Sequence, residues 1–564
     1  MDWLREVVNA ASGLLWNTPE TLPAMVSLLL FTGLFLTVRL GFVQVRRFAH
    51  GVRAVLGHYS RAEDPGDVSH FQALSSALSA TVGIGNIAGV ATAVHYGGPG
   101  AVFWLWVTGL IGMATKFTEC TLAQKFRVVH PDGSVSGGPM YYIEKGLGPR
   151  WRWLAVAFAA CAVVSSLGTG NAIQAFTMAD SLRSDLGIPT WVSGSVSATL
   201  VGLVIIGGIR RIGRVTSILV PFMGAFYVLA AIAVVLLHLA DLPAAIAEIV
   251  AGAFSPPGMV GGFAGSTFVF TLIWGVKRGL FSNEAGQGSA PIAHAAARTR
   301  EPVREGAVAL LEPFIDTVVI CFMTGLVIVL TGTWKEKAPD PVPLTPQSAI
   351  RVVNEGTRIE PQGRVRAQDL RSGTVRVHAG RVEAAAFVRN HAVIEDLRLT
   401  ARGEPWTGTL QVQDGVVLQA LDPAGRPISG SEITVWGRTL LNGSPLSAQS
   451  FEVGLGSVFP LARYIVTISV FLFAISTAIS WSYYGDRAVQ YLFGSRAVMP
   501  YRVVYLVMHF LGAIFSLEVV WGFGDVALGL MAIPNLFAIL SLSGLVQREA
   551  RSYFQRMEAQ QPGR

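Results

Sequence analysis

Long apolar stretches recur along the chain and alternate with shorter polar connections. Many are about 18 or more residues long, the length that a helix needs to cross the ~30 Å hydrocarbon core of a bilayer. Hydropathy predicts about eleven such spans. They are predicted at 21–43, 72–95, 99–122, 151–175, 189–208, 215–237, 261–297, 306–332, 458–484, 500–521 and 525–546. The pattern predicts an all-α polytopic membrane protein.

Two spans carry glycines and polar residues in the middle of the apolar run. Span 2 contains TVGIGNIAG at 81–89, and span 7 contains WGVKRGLFSNEAGQG at 274–288. The first is not a nucleotide loop, because its third glycine falls one position late and no strand surrounds it. Small residues can pack helices tightly together. Alternatively the helix unwinds there, which a membrane protein tolerates only where the backbone lines a cavity or a binding site.

The two interrupted spans lie five spans apart and enter the membrane from opposite sides. Paired interruptions of this kind point to an inverted repeat with the binding site at the repeat interface. The spacing therefore predicts a five-plus-five helix arrangement, with span 1 as a peripheral helix.

Basic residues follow the odd-numbered spans, as in IRRIGR after span 5, whereas most even-numbered loops are poor in Lys and Arg. Short cytoplasmic loops carry the excess of positive charge. We therefore expect the N-terminus outside the cell and the C-terminus in the cytoplasm.

A large insertion separates two membrane parts, at 1–333 and 454–564. Residues 334–453 alternate apolar and polar positions and contain DG, PAG and SGS turn signals, which predicts a small β-rich domain. Span counting places it outside. Its role stays open between a decoration without a part in transport and a sensing module.

Composition agrees with a membrane protein and excludes several other classes. Hydrophobic residues make up 51% of the 564 residues, charged residues only 14%, and the mean hydropathy is +0.49. The net charge of +7 lies in loops beside apolar segments, so it does not indicate nucleic-acid binding. The three cysteines fall in apolar segments without metal-ligand spacing. Neither HExxH, GxSxG nor CxxC occurs, so an enzyme is not expected.

Several segments closely resemble the alanine or glycine:cation symporter family. They are SATVGIGNIAGVATA, GGPGAVFWLWVTGLIGMATKFTE, SGGPMYYIEKGLG, GLFSNEAGQGSAPIAHAAA, FIDTVVICFMTG, FAISTAISWSYYG and GLMAIPN. The resemblance covers nearly all of the membrane part but not the insertion. It implies a leucine-transporter-like fold and Na⁺-coupled uptake of a small neutral amino acid, with H⁺ as an alternative coupling ion and no organic cofactor.

An amino-acid zwitterion needs partners for a carboxylate and an ammonium group. Backbone amides suit the carboxylate. The candidates are the backbone of Gly83, Ile84 and Gly85, with Thr81 and Asn86 nearby. For the ammonium group the best candidate is Gln174, the glutamine that the resemblance also indicates, unless it only makes an interhelical hydrogen bond. Trp274 and Gly275 are candidates for the wall and floor of the pocket, with aromatic packing as the alternative for Trp274.

Na⁺ prefers oxygen ligands. The resemblance to this fold points to the hydroxyls of Ser476 and Thr477 and to the Phe473 carbonyl one turn earlier, completed by backbone carbonyls near Gly83 and Asn86. Hydrogen bonding of the two hydroxyls to their own helix is the competing explanation.

Charges at membrane depth are costly and are usually functional or paired. Arg278 with Glu284 or Asp316 is a candidate inner gate. Alternatively, the basic pair Lys277 and Arg278 only marks the cytoplasmic end of a short span 7.

The sequence departs from the family pattern at several positions. Ile84 stands where threonine is expected, Gln287 where methionine is expected, and Phe176 and Ala527 where asparagines are expected. Ile84 would touch the pocket directly, so it bears on substrate identity.

These observations lead to one main hypothesis. The chain is expected to be a Na⁺-coupled symporter in the plasma membrane, the inner membrane of a bacterium, that imports alanine or glycine by alternating access. The alternative is an amino-acid sensor that signals through the inserted outer domain.

Overall fold

The computed structural model consists mainly of helices, with strands concentrated in one segment. It describes residues 2–19, 23–61, 63–130, 134–254, 268–339, 341–345, 348, 350–357, 365–389, 392–515 and 518–559. The helices are Asp2–Asn17 (α1), Ala24–Arg39 (α2), Val43–Arg46 (α3), Phe48–Val55 (α4), His70–Thr81 (α5), Ala88–Gly97 (α6), Gly100–Lys125 (α7), Pro139–Gly146 (α8), Arg152–Leu167 (α9), Ile173–Leu186 (α10), Thr190–Ile205 (α11), Gly208–Leu237 (α12), Leu242–Phe254 (α13), Phe268–Asn283 (α14), Ala290–His294 (α15), Pro302–Ala309 (α16), Leu311–Pro313 (α17), Phe322–Leu330 (α18), Ser444–Leu455 (α19), Arg463–Phe493 (α20), Val498–Ile514 (α21) and Glu518–Ala559 (α22). Two π-helical segments, Gly168–Ala172 and Phe314–Cys321, connect α9 to α10 and α17 to α18.

Within the described residues, seven helical segments are long and apolar enough to cross a membrane, or eight if the bent pair α5 and α6 counts as one span. The remaining three expected spans correspond to helices of 16 residues each, α2, α11 and α14. Such a helix is about 24 Å long, shorter than the hydrocarbon core. Eleven crossings therefore stay a prediction. Residues 21–22, 261–267 and 516–517 of the expected spans lie outside the described residues.

Charged side chains lie fully buried in the helical body, where they pair with one another. Lys116 on α7 donates to Glu312 on α17 at 3.0 Å, and neither side chain is exposed. Glu305 on α16 pairs with His294 on α15 at 2.6 Å and also with His70 on α5. Burying a charge without a partner is costly, so this chain of pairs fixes α5, α7, α15, α16 and α17 relative to one another.

Arg127, just after α7, fixes the polar end of this cluster. Its guanidinium donates to the carbonyls of Ala295, Ala297, Pro65 and Thr299 at 3.0, 2.7, 2.8 and 2.5 Å. These carbonyls belong to the segment before α5 and the segment between α15 and α16. One side chain therefore closes this end of the helical body.

The strand-rich segment between α18 and α19 contains antiparallel sheets with a separate apolar core. A separate antiparallel pair lies between α7 and α8 and consists of Val128–Val129 (β1) and Val135–Ser136 (β2). The strands of the segment between α18 and α19 are Lys337–Pro339 (β3), Val342–Pro343 (β4), Arg351–Asn354 (β5), Gly373–His378 (β6), Arg381–Val382 (β7), Ala385–Arg389 (β8), Ala392–Val393 (β9), Glu395–Ala401 (β10), Glu404–Pro405 (β11), Gly408–Gln413 (β12), Val416–Leu421 (β13), Pro427–Ile428 (β14) and Ile433–Leu440 (β15). The sheets have the orders β11-β10-β15-β3, with β4 also on β15, then β14-β13-β12-β6-β7 and β5-β8-β9. Phe387, Leu399 and Leu410 are fully buried between them.

Two-residue turns join several of these strands. Asp414 and Gly415 connect β12 to β13 with φ of 48° and 76°, and Arg402 and Gly403 connect β10 to β11 with φ of 52° and 87°. Positive φ at both positions is the geometry of a hairpin turn that follows the strand twist, and glycine adopts it without strain. The DG signal of the sequence corresponds to such a turn.

Helix α19 lies across the expected domain boundary at residue 453 and packs on the helical body. The Ser447 hydroxyl donates to the Ile87 carbonyl at 3.2 Å, and the hydroxyls of Ser450 and Thr333 lie 2.6 Å apart. The Phe451 ring packs against Tyr227 on α12. The strands end at Leu440, before this helix begins.

We expect the substitution Lys116→Met to destabilise the helical body by about 3–5 kcal/mol, because it leaves the buried Glu312 carboxylate without its ammonium partner. The double variant K116M/E312Q should recover part of the loss. Thermal unfolding in detergent measures both effects.

Lys125→Met is the matched control, since Lys125 on the same helix pairs with Glu549 at 2.7 Å in a partly exposed position. That pair should contribute less than about 1 kcal/mol. Equal losses for the two lysine variants would contradict a stabilising role for the buried pair.

We also expect the helical body to fold without the strand-rich segment. Lys337 and Leu440 are paired neighbours in β3 and β15, so two glycines can replace residues 338–439. The shortened protein should elute as one species in detergent. A longer deletion, 338–455, also removes α19 and should aggregate; similar behaviour of the two deletions would contradict the assignment of α19 to the helical body.

Candidate functional site

The second predicted span is broken, and the break leaves α5 and α6 at an angle of 61°. Helix α5 begins with a capping box between Ser69 and Gln72 and ends at Thr81. A short 3₁₀ turn, Ile84–Asn86, separates it from α6. The Asn86 side chain accepts the Gly83 N–H at 2.9 Å. The Asn86 side chain therefore replaces the helical hydrogen bond that the Gly83 N–H no longer makes.

A buried carboxylate connects this break to two other elements. Asp316, in the π-helical segment Phe314–Cys321, accepts from the Asn86 amide at 2.6 Å and from the Ser282 hydroxyl on α14 at 2.9 Å. Thr317 donates to the same carboxylate at 2.7 Å. Proline has no N–H for a helical bond, and the π-helical segment starts directly after Pro313. The wider turn places Asp316 against the break.

Hydroxyl groups on α20 face the end of α5. The Thr477 hydroxyl donates to the Val82 carbonyl at 3.4 Å, and the hydroxyls of Ser476 and Ser79 lie 2.7 Å apart. A methyl group at Gly83 would lie only 2.6 Å from Thr477 Oγ1, so glycine permits this close approach. The result is a buried cluster of neutral oxygens, the ligand type that Na⁺ takes.

Phe473 lies one turn before these hydroxyls and is fully buried. Its ring packs against Tyr227 at 5.7 Å. Thr81, at the end of α5, is also buried and donates to the Ala77 carbonyl within its own helix at 3.3 Å.

Gln174 reaches the other side of the break. Its Oε1 atom accepts the Ile84 N–H at 3.4 Å, and its Nε2 atom donates to the Thr169 carbonyl at 3.3 Å. Thr169 belongs to the π-helical segment Gly168–Ala172, which brings the side chain to this position. The interhelical hydrogen bond that was an alternative from the sequence is present, but both contacts are long. Next to Gly85 there is open space: a methyl group there would meet nothing within 4 Å.

Trp274 and Gly275 lie on α14 at the side of α6 and α7. The Trp274 ring stacks on Tyr96, with centroids 4.4 Å apart. A methyl group at Gly275 would lie 2.4 Å from the Ala101 carbonyl oxygen. The aromatic packing expected as the alternative for Trp274 is therefore present, and Gly275 permits close packing of α14 on α7.

The second predicted interruption is also present, between α14 and α15. Glu284, Gly286 and Gly288 have φ of 54°, 91° and 83°. The Glu284 carboxylate accepts from Trp481 Nε1 on α20 at 3.1 Å and from the Ser289 hydroxyl. Asn535 on α22 donates to the Gly286 carbonyl at 2.9 Å. Side chains from two distant helices thus satisfy this unwound stretch.

The three gate candidates lie near the two breaks. The Arg278 guanidinium lies 5.5 Å from the Trp274 ring centre. Glu284 is held by Trp481 and Ser289, and Asp316 by donors from Asn86, Ser282 and Thr317. In this conformation both carboxylates brace the unwound segments.

Sequence reasoning missed several groups that complete the two breaks: Ser79, the Val82 carbonyl, Ser282, Trp481 and Asn535. Ser79 lies four residues before Gly83 and so on the face of α5 that reaches the break, a signal that could have identified it. Val82 and Ser282 lie within the two interrupted motifs themselves, so their position was also a usable signal. Trp481 and Asn535 lie in distant segments, and their spacing gives no such signal.

The family model described as the sodium:alanine symporter family matches residues 1–358 and 429–563. The unmatched residues, 359–428, fall in the strand-rich segment.

Three similar proteins span almost the whole chain. An "Uncharacterized transporter" of Haemophilus influenzae is 36% identical over 98% of this chain and 97% of its own. The "Sodium/alanine symporter AgcS" of Methanococcus maripaludis is 36% identical over 98% of both chains. The "Probable sodium/glutamine symporter GlnT" of Bacillus subtilis is 29% identical over 99% of this chain and 92% of its own.

Among solved structures, the "Crystal structure of MhsT in complex with L-phenylalanine" aligns with 87% of this chain and 99% of its own, at 12% identity and a TM-score of 0.47. The extent of the family match and the whole-length relatives show that this chain belongs to the sodium:alanine symporter family, whose members are multi-pass membrane transporters that move an amino acid together with a cation, and not enzymes.

Proposed function

We propose that the chain imports a small neutral amino acid, alanine or glycine, together with Na⁺ by alternating access, and that the break between α5 and α6 forms both binding sites. The observation that carries the proposal is the set of neutral oxygens and backbone groups around 82–87. They belong to the break after α5, to α10 and to α20, three segments that are far apart in the sequence.

The zwitterion site follows from one weak contact. Ile84 N–H and Gln174 Oε1 lie 3.4 Å apart, long for a hydrogen bond. A bound amino acid inserted here would offer its carboxylate to the N–H and its ammonium group to Oε1. The Ile84 N–H is thus suited to the substrate carboxylate, and Gln174 Oε1 is suited to its ammonium group.

Substrate size is supported by the space beside Gly85, where nothing lies within 4 Å of the position a methyl group would take. Of the relatives, one is named for sodium and alanine and another for sodium and glutamine. Ile84, the neighbour of Gly85 in the sequence, is apolar where the family pattern has threonine, which favours a short apolar substrate side chain.

The cation site uses the hydroxyls of Ser476 and Thr477 with the Val82 carbonyl; Ser79 is an additional ligand candidate. The carbonyls of Phe473 and of the unwound residues near Gly83 and Asn86 complete the expected ligand set. Na⁺ would replace the 3.4 Å contact between Thr477 and Val82 with two shorter ion–oxygen contacts. Because these ligands lie on α5 and α20, the ion would bind at the contact between the two helices.

Alternating access requires the helices around the breaks to move as a unit, within a five-plus-five arrangement. The buried pairs between α5, α7, α16 and α17 support such a unit. Helix α20 contributes its hydroxyls from outside this group. We propose that the group rocks against α20 and the remaining helices, with the N-terminus and the strand-rich segment outside the cell and the C-terminus inside.

Counterflow of labelled alanine in proteoliposomes, with and without a Na⁺ gradient, tests the function. We expect exchange of alanine in both conditions in the presence of Na⁺ and accumulation only with an inward gradient. Saturable binding of alanine without exchange would support the sensor alternative and overturn transport.

The substitution Thr477→Val should raise the Na⁺ concentration for half-maximal uptake about tenfold, since one oxygen ligand worth about 1.4 kcal/mol is lost. Ser469→Ala is the matched control: Ser469 is a buried hydroxyl of the same helix that donates to the Ile465 carbonyl within it. Uptake measured against Na⁺ concentration separates the two. An unchanged Na⁺ requirement in T477V would remove α20 from the cation site.

The substitution Gln174→Ala should raise the KM for alanine about tenfold or more, because the ammonium group loses a charge-assisted hydrogen bond. The amount of folded protein should stay normal. Gln44→Ala serves as control, since Gln44 on α3 is a buried glutamine that donates to the Thr37 hydroxyl on α2 and has no part in the proposed sites. A wild-type KM in Q174A would contradict the assignment of Gln174 to the ammonium group.

A further inference from the structure

A basic cavity lies away from the proposed transport site, where α2 and α3 meet the last turns of α22. Its volume is about 710 Å³. Four arginines line it: Arg39, Arg46, Arg47 and Arg551. The remaining lining is apolar or uncharged except for Glu558. Four positive charges face one negative charge, so the cavity carries an excess of three.

The existing contacts leave most of this charge available. Arg47 pairs with Glu558 at 3.0 Å and lies 4.0 Å from the centre of the Phe554 ring. Arg46 donates to the Gly41 carbonyl at 3.5 Å, a long contact. The Nε atom of Arg39 is buried and has no hydrogen-bond partner among the residues that the structure describes. A buried guanidinium N–H without an acceptor is costly, and an anion in the cavity would supply one.

The cavity lies where two apolar helix surfaces end. On α2 the exposed side chains are apolar up to Val38, and exposed Phe42 follows just after the helix. On α22 exposed apolar residues such as Ile533 and Phe537 give way to Gln547 and Arg551. Exposed apolar residues belong to the hydrocarbon region and clustered basic residues to the headgroup region. The cavity is therefore at the level of lipid phosphates.

We propose that this cavity binds the headgroup phosphate of an anionic phospholipid. Guanidinium groups bind phosphate oxygens with paired N–H donors, and Arg39, Arg46 and Arg551 surround one volume. The exposed side chains of Val38 and Phe42 at the rim would contact the lipid acyl chains, which a soluble phosphate lacks. The excess positive charge favours an anionic headgroup over a zwitterionic one.

Such a lipid would join α2 to α22, the same two helices that enclose the second break. A methyl group at Gly286 would meet Leu29 of α2 at 2.6 Å and Leu536 of α22 at 3.0 Å. A lipid that holds these helices together would therefore tighten the packing around Gly286. The bound lipid would therefore stabilise the packing of α2 and α22 whether or not substrate is bound.

Binding of fluorescent phosphatidylglycerol to the purified full-length protein in detergent tests the proposal. We expect the protein to bind phosphatidylglycerol about tenfold more tightly than phosphatidylcholine. The variant R39Q/R46Q/R551Q should lose this preference. The variant R211Q/R214Q/R496Q removes the same charge from exposed positions away from the cavity and should keep affinity within about twofold of wild type.

Equal losses in the two triple variants would show a general charge effect and overturn the site. Displacement of phosphatidylglycerol by inorganic phosphate at equal concentration would overturn the lipid as occupant, whereas failure of phosphate to compete supports it. If the first triple variant does not fold, Arg551→Gln decides, because Arg551 is exposed. A several-fold weaker binding in R551Q supports the proposal, and unchanged binding contradicts it.

Discussion

A helix that unwinds inside a membrane exposes backbone groups that the lipid cannot hydrogen-bond, and each such group costs several kcal/mol unless the protein supplies a partner. Two unwound stretches in this chain meet that requirement with side chains. At the first, Asn86 accepts the Gly83 N–H and is itself held by Asp316. The arrangement of the surrounding helices follows from the need to bring such partners together.

The two breaks satisfy this constraint in different ways. The second is held by donors from α20 and α22, through Trp481 to Glu284 and Asn535 to Gly286. The first keeps two contacts of 3.4 Å, from Thr477 to Val82 and from Ile84 to Gln174. Weak contacts between polar groups are the ones that a ligand can replace at little cost. This difference supports the first break as the binding site and the second as its structural counterpart.

Buried charges have a related role. Lys116, Glu312, His294, Glu305 and His70 form a chain of pairs that links the helix before the first break to the helices after the second. Separating any one of these helices would expose an unpaired charge to an apolar environment, which is costly. The charges of the basic cavity beside α2 and α22 are not matched in this way, because four arginines and only one glutamate line it. We propose that lipid phosphate supplies the missing negative charge.

The sequence determined the membrane character, the family and the place of both breaks, because hydropathy, glycine and polar residues act locally. Period-two alternation and turns such as Asp414-Gly415 also predicted strands between residues 334 and 453, which the structure has between Lys337 and Leu440. Only the tertiary structure decided what each polar group contacts. Asp316, one of the gate candidates, accepts hydrogen bonds from Asn86 and Ser282, and Ser79 joins the hydroxyls of α20. Partners that lie hundreds of residues apart, such as Ser79 and Ser476, are brought together by helix packing, which local spacing does not encode.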